Sequence, residues 1–386
     1  MTSYSGTDYS DSGFNTRAIH AGQEPDEQTG AVTVPIHVAT TYAQQGVNQH
    51  KGFEYSRTGN PTRQALEHSI AALEGATHGF AFGSGMGAED AILRMLQPGD
   101  NVLLGNDAYG GTFRLLDKIY GKVGVTWTAV DLTKPDLVAS SWADNTKLVW
   151  METPTNPNLT VFDIEAISAA AHLNGGLCVV DNTFATPYLQ QPISMGADIV
   201  VHSATKYLGG HSDVVGGLVV TNNDELAEHL AFVQNGVGAI ISPFDCYFLL
   251  RGVKTLGVRM DRHCDNAQAI VAMLSEHPAI EQVLYPGLPG HLGHETASRQ
   301  MRNYGGMVSF IPRGGAEAAH RIVTSTKLFT LAESLGAVES LIEVPAGMTH
   351  GSTAGSPLEV DPALVRLSVG IEDIDDLLND LQSALG

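Results

Sequence analysis

Apolar residues recur at helical intervals over 62–73 and stop before Gly75, which predicts a helix closed by a glycine C-cap. A short apolar run at 79–82 then enters Gly83-Ser84-Gly85-Met86-Gly87, and helical spacing resumes over 88–96 before Pro98-Gly99. Beyond it, strand-like and helical runs alternate. Strands are predicted at 101–104, 125–129, 148–151, 177–181, 199–202 and 217–220, with helices at 111–119, 164–173 and from Asp224 onward. Such alternation predicts an α/β fold with a mostly parallel sheet covered on both faces. Ligands of these sheets lie beyond the carboxyl ends of the strands. Gly83 to Gly87, Asp107 to Gly111, Glu152 to Asn156, Asp181 and Ser203 to Lys206 fall there.

The pattern changes at both ends of the chain. Segment 244–274 reads as one long helix or two; strands at 282–285, 307–311 and 365–369 and helices at 316–323 and 373–385 then describe a smaller α+β domain. The first 60 residues lack periodicity, and 53–62 is turn-like around Gly59-Asn60-Pro61. An irregular segment of that length is explained economically by an arm that covers another subunit. The expected division is an N-terminal arm at 1–60, a large domain at 61–250 and a C-terminal small domain at 251–386.

Length and charge narrow the function classes. At 386 residues the chain exceeds what one hydrophobic core usually supports. Its 21 Lys plus Arg against 42 Asp plus Glu give a net charge of -21, a field that repels nucleic acid and anionic lipid. Cys178, Cys246 and Cys264 have no metal-ligand spacing and form no disulfide framework, so no metal site is expected and a cytoplasmic location suits them. The polar start MTSYSGTDYSDSG and the lack of any apolar 18-mer argue against secretion and membrane spanning.

The candidate chemistry centres on Ile199-Val200-Val201-His202-Ser203-Ala204-Thr205-Lys206. A lysine at the end of a buried strand is readily lowered in pKa, as a Schiff-base lysine requires, although an exposed lysine after a strand fits the pattern as well. Asp181 closes another apolar strand, as a helix cap, a solvated strand end or the partner of a cationic ring nitrogen. An amine for a carbonyl and a carboxylate for a pyridine nitrogen are the two anchors of pyridoxal 5'-phosphate. Ser203, Thr205 and the glycine turn at 83–87 could then bind its phosphate. Tyr109, at a further strand end, either packs or stacks on the cofactor ring.

Several longer stretches make the resemblance specific. They are Tyr55-Ser56-Arg57-Thr58-Gly59-Asn60-Pro61-Thr62, Ser84-Gly85-Met86, Glu152-Thr153-Pro154-Thr155-Asn156-Pro157, Val180-Asp181-Asn182-Thr183-Phe184 and His202 to Asp213, continued by Leu331 to Gly336 and Arg366 to Glu372. With them the chain resembles the cysteine and methionine metabolism family of pyridoxal-phosphate enzymes, the trans-sulfuration group. The resemblance implies an aspartate-aminotransferase-like (fold type I) architecture and a homotetramer built as a dimer of dimers. It implies that Lys206 forms the Schiff base and shuttles protons, that Asp181 pairs with the ring nitrogen, and that Tyr109 stacks on the ring and assists proton transfer. Gly85, Met86, Ser203 and Thr205 would hold the phosphate, joined by Tyr55 and Arg57 from the neighbouring subunit. Arg366 would take the substrate α-carboxylate with Asn156 and Ser334, and Glu333 would attract a distal ammonium. The implied reaction is replacement of the acyl group of O-acetyl- or O-succinyl-L-homoserine by L-cysteine. Elimination from cystathionine, sulfhydrylation of an O-acylhomoserine and a non-catalytic regulator are the alternatives. Gly111 stands where methionine-cleaving members carry cysteine, which disfavours that activity.

Overall fold

A computed structural model describes residues 7–386; the first six residues of the expected arm lie outside the described residues. In chain order the strands are β1 (His78–Phe82), β2 (Asn101–Gly105), β3 (Thr126–Val130), β4 (Thr146–Glu152), β5 (Leu177–Asp181), β6 (Ile199–Ser203), β7 (Gly217–Thr221), β8 (Ile280–Leu284), β9 (Met307–Pro312), β10 (Thr330–Leu331), β11 (Leu341–Glu343) and β12 (Val365–Ser368). Two compact units divide them. One joins the described residues up to Met95 to Asp198–Gly257; the other joins Leu96–Ala197 to Val258–Gly386.

In the first unit β7 lies between β1 and β6 and runs antiparallel to both, so Val219 faces Phe80 on one side and Val201 on the other. Alternation of apolar runs located β7 without its direction. The direction follows from the link 204–216, which contains no helix and so cannot carry the crossover that parallel neighbours need. The helix Pro61–Glu74 forms where the spacing predicts it. Asn60 accepts from the amides of Thr62 and Arg63, Pro61 occupies the first turn, and Gly75 ends the helix at φ +70°. The helix after the glycine turn begins earlier than its apolar spacing, at Gly85 and not at residue 88. Before Pro61 the described chain holds one short helix, Phe14–His20, and is otherwise irregular, as the missing periodicity predicts.

In the second unit β5-β4-β2-β3 run parallel in that order, with Glu152 opposite Asp181 at the carboxyl ends of β4 and β5. A second sheet has the order β10-β11-β12-β9-β8. Phe310, Ile342 and Leu367 of this sheet share a core with Ile270 and Leu274 of the helix Leu256–Glu276 and with Leu377 and Leu381 of the helix Ile374–Leu385. The apolar stretch 244–274 is two helices, Pro243–Val253 and Leu256–Glu276. Among the described residues no helix is long and apolar enough to cross a membrane, and no group of His, Cys, Asp and Glu could hold a metal ion.

One buried histidine makes this core sensitive to acid. His263 Nδ1 lies 2.6 Å from the Val369 carbonyl oxygen, and burial pushes its pKa from 6.5 down to about 4 against the opposing pull of that hydrogen bond. Between those values the unfolded chain takes up a proton that the folded chain refuses. The stability contributed is therefore complete above pH 6.5 and is lost as pH falls toward 4, by roughly 3 kcal/mol. His263→Asn, which keeps a donor for Val369 without titrating, is expected to flatten the wild-type loss by about that amount in urea unfolding at neutral pH and near pH 4.5.

Candidate active site

In the first unit the glycine turn, the end of β6 and the start of β7 meet almost backbone to backbone. A Cβ on Gly85 would lie 3.0 Å from Ser203 Cβ and 3.1 Å from its hydroxyl oxygen, and a Cβ on Gly217 would lie 2.1 Å from the Ser84 carbonyl oxygen. Only glycine allows that approach. Ser84 caps the helix Gly85–Leu93 by accepting from the Gly87 amide at 3.0 Å, while the amides of Gly85 and Met86 open the helix with no intrahelical acceptor. Free amides and the positive end of the helix dipole favour an anion there.

Ser203, Thr205 and Lys206 are half-buried just beyond β6. The Thr205 hydroxyl accepts from the Gly216 amide at 3.1 Å and donates to the Gly216 carbonyl at 3.3 Å, which fixes its rotamer. The Lys206 amide closes a tight turn onto the Ser203 carbonyl at 3.2 Å. The structure thus brings Gly85 against Ser203 and carries the lysine out of the same turn. Two amides, the Ser203 hydroxyl and a Cβ-free approach fit a phosphate monoester, with the Thr205 hydroxyl beside them on Gly216. Gly217→Ala, which drives a methyl into the Ser84 carbonyl, is expected to weaken pyridoxal 5'-phosphate binding at least ~10-fold in equilibrium dialysis, since its clash cannot relax without moving the turn.

Tyr55 and Arg57 stay at the surface. The Arg57 guanidinium lies 5.3 Å from the centroid of the Tyr55 ring and its Nε donates to Asn235 Oδ1 at 3.2 Å.

In the second unit Asp181 ends β5 at 7% exposure and accepts from the Thr183 amide at 2.9 Å. Tyr109, half-buried, donates its amide to Glu152 Oε2 at 2.9 Å. Two residues earlier, Asp107 accepts from the Thr155 hydroxyl and, at 2.9 Å, from Asn158 Nδ2; burial pushes its carboxyl pKa up. The loops that carry Tyr109 and Asn156 are therefore tied together below both side chains.

Arg366 is 2% exposed on β12. Its Nη1 donates to Asn156 Oδ1 at 2.7 Å, and its Nη2 to the Ser334 carbonyl at 3.0 Å and to Glu343 Oε1 at 2.9 Å. Ser334 presents that carbonyl from φ +91°, a left-handed conformation that costs a non-glycine residue about 1–3 kcal/mol. Arg366 Nε is buried with no acceptor among the described residues. Glu333, next to Ser334, is exposed. Arg366, Asn156 and Ser334 thus form one cluster, and Glu333 stands outside its hydrogen bonds. Sequence reasoning missed Glu343, although a carboxylate that closes the apolar pair Leu341-Ile342 carries the same signal as Asp181. It also missed His350, and it placed Asp107 and Glu152 at the ligand-binding strand ends without giving either a role.

Comparison with known proteins places this geometry among relatives. The family described as Cys/Met metabolism PLP-dependent enzyme matches residues 15–386. A Mycobacterium tuberculosis protein named cystathionine gamma-synthase is 58% identical over 97% of both chains. A Lactococcus lactis cystathionine beta-lyase is 52% identical over 96% of this chain and 98% of its own. The crystal structure of metB from Corynebacterium glutamicum superposes with a TM-score of 0.97 at 56% identity, covering 98% of this chain and 99% of that one.

Proposed function

Because the chain belongs to the family of Cys/Met metabolism PLP-dependent enzymes, with its fold type I architecture of a large mixed sheet and a smaller C-terminal domain, we propose that it exchanges the acyl group of an O-acyl-L-homoserine for L-cysteine to give L-cystathionine. The 58% identity to a protein named for that reaction, over 97% of both chains, carries the choice.

Pyridoxal phosphate, when bound, supplies an electron sink beside the substrate amino group. Gly85, Met86, Ser203 and Thr205 would hold its phosphate, and Asp181 would keep its ring nitrogen protonated. Lys206 would take the proton from substrate Cα and return one at the end of the cycle. Tyr109 would cover the ring and accept a proton from the incoming thiol, which makes the sulfur nucleophilic. Arg366 would bind the α-carboxylate, supported by the unused Nε donor and by the hold of Asn156 and Ser334 on its other nitrogens. Glu333, exposed and anionic, would draw in the distal ammonium of cysteine. Exposed Tyr55 and Arg57 suit a reach into a neighbouring subunit, within a dimer of dimers, from an arm at 1–60 beside domains at 61–250 and 251–386. A cytoplasmic role in methionine biosynthesis suits three buried, unlinked cysteines.

The Lactococcus relative supports a second reading, elimination from cystathionine. Purified protein should therefore be given O-acetyl- and O-succinyl-homoserine in parallel, each with cysteine, and cystathionine alone. Condensation with at least one ester is expected to exceed cystathionine cleavage; cleavage without condensation sinks the synthase reading.

A further inference from the structure

We propose that His350, acting through Thr349, is a positioning residue that ties the Tyr109 loop to the Arg366 guanidinium in one hydrogen-bonded frame. This rests on the reading that Arg366 binds the substrate carboxylate. The frame closes on itself. From Arg366, Nη1 reaches Asn156 Oδ1 at 2.7 Å; the Asn156 carbonyl oxygen meets His350 Nε2 at 3.0 Å; and His350 Nδ1 lies 3.0 Å from the Thr349 hydroxyl. That hydroxyl is 2.8 Å from Glu343 Oε1, and Glu343 Oε1 returns to Arg366 Nη2 at 2.9 Å. Arg366, Glu343 and His350 are each no more than 2% exposed, and Thr349 is half-buried.

Tyr109 is attached to the same frame. Its ring meets the His350 ring edge-on, with centroids 6.0 Å apart. Directly after it, Gly110 leaves no room for a side chain: a Cβ would come within 3.1 Å of Ser352 Oγ and 3.2 Å of the Thr349 carbonyl, and Ser352 Oγ donates to the Gly110 carbonyl at 3.0 Å. The segment 349–352 is thereby fixed against the tyrosine loop.

The protons specify how the frame works. A carbonyl oxygen only accepts, so Nε2 of His350 carries hydrogen. Burial, followed by the positive charge of Arg366, lowers the His350 pKa to about 4, so the ring is neutral at pH 7 and Nδ1 is an acceptor. The single Thr349 hydroxyl proton then lies between two acceptors, Nδ1 and Glu343 Oε1. A side chain that merely filled space would not need that proton, whereas a frame does.

The test uses cofactor-loaded protein and calorimetric titration with glycine, an α-amino carboxylate that has no γ-carbon to react. Thr349→Val and His350→Phe are each expected to weaken glycine binding about tenfold and to raise the acylhomoserine KM similarly, because each leaves buried polar groups unpaired. Thr349→Ser and His350→Gln, which restore a hydroxyl or an amide donor, should stay within about threefold of wild type. The double variant Thr349→Val/His350→Phe should lose little more than either single one, since both break one frame. Unchanged glycine binding in both single variants, or losses that multiply in the double variant, would overturn the proposal. Thr349→Val is nearly isosteric and keeps the test valid should His350→Phe fold poorly. Arg366→Lys separates the two levels: if it leaves glycine binding unchanged, the carboxylate reading itself fails and the frame loses its purpose.

Discussion

Lys206→Ala is expected to lower turnover of O-acylhomoserine with cysteine by at least ~10³-fold while far-UV circular dichroism and the thermal midpoint stay at wild-type values. The reasons are separable in the structure. The backbone of Lys206 is held by its own turn, its amide on the Ser203 carbonyl at 3.2 Å and its carbonyl on the Gly210 amide at 2.8 Å, and neither bond needs the side chain. The pairing of β6 with β7 ends at Ser203, before the lysine. Gly85, Ser203 and Thr205 likewise keep their contacts in the variant, so pyridoxal phosphate should still bind without covalent attachment and be recoverable by dialysis. Lys206→Arg sharpens the result. It preserves the charge but presents a group that does not release its proton near neutral pH, so it should be as inactive as alanine. A non-catalytic regulator would tolerate both substitutions.

How much of this was legible in the sequence depends on how local the signal is. Strands β5 and β6 were legible from the short apolar runs Leu177-Cys178-Val179-Val180 and Ile199-Val200-Val201, because a strand buried on both faces has few ways to be written. Asp181, which ends β5, and Lys206, in the turn just beyond β6, stood out because a charge after such a run is costly without a partner. The helix Pro61–Glu74 was legible from its apolar spacing and its glycine C-cap, whereas its N-cap, Asn60, was read only as part of a turn. The segment at 111–119 was read as one helix, yet it splits into an α-helix at Gly110–Arg114 and a π-helical turn at Leu115–Ile119, a difference of backbone hydrogen bonding that apolar spacing does not encode. Least legible was the cluster around Arg366. Its bond to Asn156 spans 210 residues of chain, and its bond to Ser334 depends on a left-handed backbone at a residue that is not glycine. Roles at Asn156, Ser334 and Arg366 came from family resemblance. Glu343, Thr349 and His350 came from three-dimensional contact alone, since 343–350 has no period to mark it.

Arg366→Leu is expected to destabilise the protein by about 3–5 kcal/mol and to raise the KM for the acylhomoserine by at least ~10²-fold, and the two effects should come apart in a double variant. Stability is lost because Glu343, 1% exposed, is left buried without the guanidinium it pairs with. Binding is lost because a charge-assisted, planar donor to the substrate carboxylate has gone. Arg366→Leu/Glu343→Leu removes both buried charges, so chemical unfolding should recover most of the stability, as replacement of a buried ion pair by apolar groups often does. The KM should not recover, because leucine cannot hold a carboxylate. If instead the double variant regained substrate affinity, Arg366 would be a structural partner of Glu343 only, and the carboxylate would have to be bound elsewhere. The choice of arginine also follows from this geometry. Lysine offers one compact charge, whereas Arg366 spends Nη1 and Nη2 on Asn156, Ser334 and Glu343 and still has Nε to present. A guanidinium can be fixed in place and remain a donor, and that combination is what recognition of a small carboxylate in a buried cluster requires.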